Sequence, residues 1–97
     1  ERKKLIFENI NNRYFSAYFR FLVLDKPGIL SSITNIFSKN KVSIKRLVQN
    51  PDKQKKSSSI IIITHKTKNK FLNKILNEIS KKNYIKEKPK LIRIDEN

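Results

Sequence analysis

With 97 residues, no cysteine, one histidine and a single glycine, the chain has the length of one domain. It can form no disulfide, and it cannot supply the Gly-rich loops that cradle nucleotide phosphates. Its formal charge of +15 comes from 18 lysines and 5 arginines against 8 acids, while lysine, asparagine and isoleucine fill 44 positions, so the charge reads either as compositional bias or as a polyanion surface. No apolar run nears the roughly 20 residues of a membrane span, the start lacks a signal-peptide pattern, and the absence of methionine leads us to expect a piece of a longer protein.

Residues 1–15 are polar apart from Leu5-Ile6-Phe7 and are expected to be a linker, with the domain over 16–97. From Ser16 to Leu24, Ala17, Phe19, Phe21 and Val23 alternate with Tyr18, Arg20, Leu22 and Leu24, which predicts a strand with one wholly apolar face. Ile29, Ile33, Ile36 and Phe37 recur at helical spacing, so a helix is predicted over Gly28–Lys39, with Asn40 as its stop. Val42-Ser43-Ile44-Lys45 alternates and Leu47-Val48-Gln49 shifts phase, as a bulged edge strand does. After a charged loop over 50–56, Ser57–Thr64 contains four consecutive isoleucines and predicts a buried strand. Thr67 is the expected cap of a second helix with Phe71, Leu72, Ile75, Leu76 and Ile79 as its apolar stripe. Tyr84–Ile94 reads as a last strand, confined to a sheet edge by Pro89.

The order β-α-β-β-α-β predicts an α+β, ferredoxin-like fold: a four-stranded antiparallel sheet with two helices on one face, the first and third strands central. A domain this small buries only about 60–65% of its unfolded surface, so a second copy or the rest of a parent chain is an expected partner.

The segment Leu24-Asp25-Lys26-Pro27-Gly28-Ile29-Leu30 puts the only glycine where a strand gives way to a helix. Gly28 permits positive φ and close approach of another molecule, Pro27 fixes the chain before it, and the free N–H groups of the first helical turn attract anions. Catalysis has no comparable support. His65 stands alone at a strand end, where a hydrogen-bonded structural role suffices, and no metal-ligand cluster accompanies it. An RNA-recognition module would need aromatics or glycine on the third strand, which reads Ser-Ser-Ser-Ile-Ile-Ile-Ile-Thr. The aromatics of the first strand (Tyr14, Phe15, Tyr18, Phe19, Phe21) serve equally as core and edge filling.

The segment Asp25-Lys26-Pro27-Gly28-Ile29-Leu30 and the later Val42-Ser43-Ile44 resemble the D-x-P-G-x-L and N/V-S-I pattern of ACT domains, small modules that bind amino acids and regulate metabolic enzymes. Ser43–Gln49 and Ile61-Ile62-Ile63-Thr64-His65 are similar to the S-I-x-x-x-x-Q and I-V-x-T-H segments near the C-terminus of bacterial homoserine dehydrogenases, and Leu91–Ile94 fits as well. The resemblance implies a cytoplasmic regulatory domain without a cofactor of its own. Its missing catalytic part would reduce aspartate semialdehyde to homoserine with NAD(P)H, under feedback by threonine. It implies effector contacts at Asp25, Pro27, Gly28, Ile29, Leu30 and Gln49, a strand-end contact at Thr64 and His65, and a homodimer through the second strand that sets the turn of one copy against the second strand of the other. For Asp25 plain helix capping is the alternative to pairing with an ammonium, and Gln49 either faces the effector or finishes its strand. Nucleic acid and membrane are not expected partners. Another amino-acid-pathway enzyme, a free-standing regulator or a basic RNA-binding module are the alternative functions.

Overall fold

Alternation of Ala17, Phe19, Phe21 and Val23 with Tyr18, Arg20, Leu22 and Leu24 dictates a strand buried on one face, and that strand is the axis of the molecule. The computed structural model describes residues 2–95, with the backbone alone for 5–8. The Leu5-Ile6-Phe7 side chains and residues 96 and 97 lie outside the described ones. The elements in order are α1 (Arg2–Asn12), β1 (Tyr14–Leu24), α2 (Ile29–Lys39), β2 (Ile44–Asp52), β3 (Ser57–Thr64), β4 (Thr67–Lys68), α3 (Asn69–Ser80) and β5 (Lys90–Ile94).

All pairings are antiparallel. β2 lies at one edge against β3, β3 against β1, and β1 carries both β4 and β5 along its other edge. Leaving aside two-residue β4, this is the predicted ferredoxin-like order, with β1 and β3 central. Ala17, Phe19, Phe21 and Val23 meet Ile60 and Ile62 on one face and the apolar stripes of α2 (Ile33, Ile36, Phe37) and α3 (Leu72, Ile75, Ile79), all buried. Phe37 packs edge-on against Phe19 with ring centroids 5.1 Å apart, a geometry that aligns ring edge with ring face.

Four boundaries differ from expectation. The segment read as linker is helical over Arg2–Asn12: its Arg, Lys, Leu and Glu are good helix formers, and it packs on α3. β1 accordingly starts at Tyr14. Thr67 does not cap α3. It is buried in β4, opposite Phe15, and Lys68 takes the N-cap position. β2 begins at Ile44 because Lys41 (φ 61) and Val42 close α2, their N–H groups donating to Ser38 and Phe37 carbonyls, while Asn40 donates its amide to Ile36. The expected bulge falls between Ile44 and Arg46, and β2 runs through Pro51 to Asp52. The last strand covers only Lys90–Ile94. Pro89 precedes it, lacking the N–H a ladder needs, and Ile85 makes a single bridge to Val23.

A polar clasp closes the end where α1 enters. The Arg13 carbonyl accepts from the Asn69 N–H, the Arg13 guanidinium pairs with Asp95, and Arg93 donates to Asn69 and Asn73 at 2.5 Å each. No helix among the described residues is long and apolar enough to cross a membrane.

Candidate functional site

The opposite end of β1 carries the glycine turn. Leu24 donates its N–H to the Tyr84 carbonyl (2.9 Å) and Asp25 to the Lys56 carbonyl (3.0 Å), so the chain leaves the sheet braced from two sides. Gly28 then takes φ 88, the left-handed conformation that favours glycine, and is the N-cap of α2. The first helical bond runs from the Ser32 N–H to the Gly28 carbonyl (3.0 Å), which leaves the N–H groups of Gly28, Ile29 and Leu30 ahead of the ladder. No side chain caps this end, which removes the capping role considered for Asp25. A Cβ added at Gly28 would meet no atom within 4 Å.

Over the turn opens a cleft of about 340 Å³, lined by Val23, Leu24, residues 25–30, Gln49 and Ile60. All six residues expected to contact an effector (Asp25, Pro27, Gly28, Ile29, Leu30, Gln49) meet on it. The register explains how Gln49 arrives: it lies opposite Ile60, and Ile60 opposite Phe21, so its side chain shares the helix-covered face with the α2 N-terminus. The turn and Gln49 of one chain thus share one cleft.

Thr64 and His65 are elsewhere. Thr64 sits seven residues along β3 from Ser57, the partner of Leu24, which is about 24 Å at strand rise. It is fully buried, its hydroxyl accepting from the Ala17 N–H (3.0 Å), and His65 is exposed with its N–H on the Ser43 carbonyl (3.0 Å). Both are spoken for by strand geometry. Ser58 precedes Ile60 by one pleat on the inner face; it is 1% exposed and its hydroxyl has no partner among the described residues.

Sequence reading missed the walls and the brace. Val23 and Ile60 were accessible through pleat parity, since both alternate inward. Tyr84 was not: its carbonyl holds Leu24 and its hydroxyl shares a 2.8 Å hydrogen bond with Ser32, a partner 52 residues away. Chemically the cleft offers N–H donors at one end, an exposed carboxylate and an ammonium at Asp25 and Lys26, an amide and an aliphatic wall. Among the described residues no group of three or more His, Asp or Glu could hold a metal ion.

This fold and this turn define a small regulatory module, and the match across residues 17–84 shows it: the chain belongs to the ACT domain family. Homoserine dehydrogenases are among the proteins it resembles. It is 30% identical over 78 residues to the homoserine dehydrogenase of Helicobacter pylori, covering 80% of this chain and 18% of the relative. For that of Methylobacillus glycogenes the identity is 32% over 83 residues, covering 84% and 20%. The crystal structure of a homoserine dehydrogenase from Thiobacillus denitrificans superposes with a TM-score of 0.77 at 28% identity, over 89% of this chain and 19% of that one. The ACT domain of a GTP pyrophosphokinase from Chlorobium tepidum shares the fold (TM-score 0.67, 19% identity, 82% of this chain and all of that one). The chain thus spans about a fifth of the length of the curated relatives it matches.

Proposed function

We propose that this domain binds a free amino acid, threonine first, in the turn cleft, and thereby gives feedback control to a homoserine dehydrogenase of which it is one part. The observation that carries the reading is the convergence of Asp25, Gly28 and Gln49 on one cleft. The effector carboxylate takes the N–H groups of Gly28, Ile29 and Leu30 at the positive end of α2, with Lys26 beside it. The ammonium pairs with Asp25. The Gln49 amide, able to donate and accept, meets the side-chain hydroxyl, and the aliphatic wall of Leu30 and Ile60 takes the methyl.

The nicotinamide cofactor and the reduction of aspartate semialdehyde belong to the catalytic part of such an enzyme. The domain contributes no reacting group. Its effect on rate must come from differential affinity of threonine for two arrangements of the whole enzyme. β2 is an edge strand of the sheet, as is β5 at the other side, and pairing of β2 with a second copy would run over residues 44–50 and stop at Pro51, which has no N–H to offer. The test is thermal unfolding of the domain with threonine, serine, valine and aspartate. Threonine should stabilise most, and a flat response to every amino acid at 10 mM would sink the reading.

A further inference from the structure

The helices cover one face of the sheet only. On the other, register aligns two rows across four strands: Arg46, Ile63, Tyr18 and Ile92 in one, and Val48, Ile61, Arg20 and Lys90 in the next. Tyr18, Val48, Ile61 and Ile63 are half-buried, and Ile92 is 57% exposed, a large β-branched side chain standing free on a folded surface. Arg20, Arg46 and Lys90 are exposed among them, and the rows contain no carboxylate. Asp52 and Glu87 line, together with Arg20, a pocket at the β2–β3 hairpin end of this face.

We propose that this open face docks an amphipathic helix whose apolar stripe is flanked by carboxylates. Charge selects that occupant. Laying a second copy on this face would set Arg20, Arg46 and Lys90 of one chain against the same three cations of the other, with no acid in the two rows to offset them, which disfavours self-association through it. Single-stranded nucleic acid would be attracted by the cations, but it adheres through base stacking, and Tyr18 is the one aromatic in the two rows. Aliphatic side chains flanked by guanidinium and ammonium groups fit leucines or isoleucines bordered by Glu or Asp. Size agrees: four strands span about 14 Å between outer axes, and one helix is about 10–12 Å across. The surface is independent of the turn cleft, which opens on the helix-covered side.

The test uses a fluorescein-labelled helical peptide of about 18 residues, with leucine along one stripe and glutamate on its flanks, titrated by anisotropy at about 150 mM salt. Binding in the tens of micromolar is expected. Ile92→Ser combined with Arg46→Ser, both at exposed positions, should weaken it at least about tenfold. Lys74→Glu, Lys81→Glu and Lys82→Glu together change the net charge more but lie on or just beyond α3, and should leave affinity within about twofold. Equal loss in that triple variant would reduce the contact to general cation attraction and overturn the proposal, as would no binding at 100 μM. An oligouridylate of equal charge that binds more tightly and is displaced by the Ile92/Arg46 changes would make the face a nucleic-acid surface instead.

Discussion

Gly28→Ala separates the fold of the turn from its proposed use. The residue sits at φ 88, where an L side chain costs roughly 1–2 kcal/mol, but the new methyl meets no protein atom within 4 Å. Strain is therefore the whole cost of folding the variant. At about 4–8 °C per kcal/mol for a chain of this size, the melting temperature should fall by roughly 4–16 °C. Threonine at a hundredfold excess over its Kd should raise the wild-type stability by about 2.7 kcal/mol, or roughly 10–20 °C. In the alanine variant that rise should vanish, because the methyl occupies the space through which a carboxylate reaches the N–H groups of Gly28 and Ile29. Asp25→Asn calibrates the other end: a tenfold loss of affinity leaves about 1.4 kcal/mol of stabilisation at the same threonine concentration. Differential scanning fluorimetry across a threonine series reads all three proteins. An undiminished threonine shift in Gly28→Ala would refute the assignment of the carboxylate to this turn, and a loss of far more than about 2 kcal/mol in its absence would refute the strain argument.

Two buried hydroxyls on β3 should respond in opposite senses to deletion, read by urea midpoints: Thr64→Val strands the Ala17 N–H and should cost about 1–3 kcal/mol, whereas Ser58→Ala removes an unpaired hydroxyl and should be neutral or stabilising. Lys41→Gly relieves a left-handed residue that closes α2 and should add about 1 kcal/mol in the same assay. The Lys39 ammonium, 2.6 Å from Glu78, holds that carboxyl below its ordinary value; the stability it supplies is present above the ordinary value and lost as pH falls through the lowered one, so Glu78→Gln should flatten the acid limb of stability against pH, by a small amount because the pair is on the surface. Sedimentation should show a dimer that Val48→Pro on β2 disrupts, and a monomer at high micromolar concentration would remove pairing through this edge.

What was legible in the chain was local. Alternation from Ser16 to Leu24 and the 3-and-4 spacing of Ile29, Ile33, Ile36 and Phe37 are short-range patterns imposed by burial on one face; the helix formed where expected, and the strand covered the expected span but began two residues earlier, at Tyr14. The failures came from partners distant in sequence. Thr67 carries the right chemistry for a helix cap, but β1 extends far enough to pair with it, and ladder bonds outweigh a cap worth about 1 kcal/mol. α1 has no acidic residue in its first turn and no basic residue in its last, so nothing in residues 2–12 announced a helix apart from formers that also populate linkers. The Thr64-His65 pair looked functional because it matched a family pattern, whereas the hydroxyl's partner, Ala17, lies 47 residues away. The DxPGxL turn had the reverse character, since its only requirements are φ at one residue and a helix start three atoms on, and both are written in consecutive residues.

The position of the cleft constrains how occupancy could reach the rest of an enzyme. β1 links the glycine turn to the Arg13 clasp, but it is paired along both edges and its inner face is buried from Ala17 to Val23, so it is too stiff to carry a displacement along its length. The cleft's other walls are freer. Gln49 stands exposed on β2, the edge strand, and Leu30 is in the first turn of α2. On the proposed reading, threonine bridging these two fixes α2 against β2 and biases whatever pairs with the β2 edge. Reciprocity then requires that pairing there raise threonine affinity by the same factor as threonine strengthens the pairing. Control would therefore leave the domain sideways through β2, while the clasp at the far end ties the start of β1 to α3 and to the end of β5.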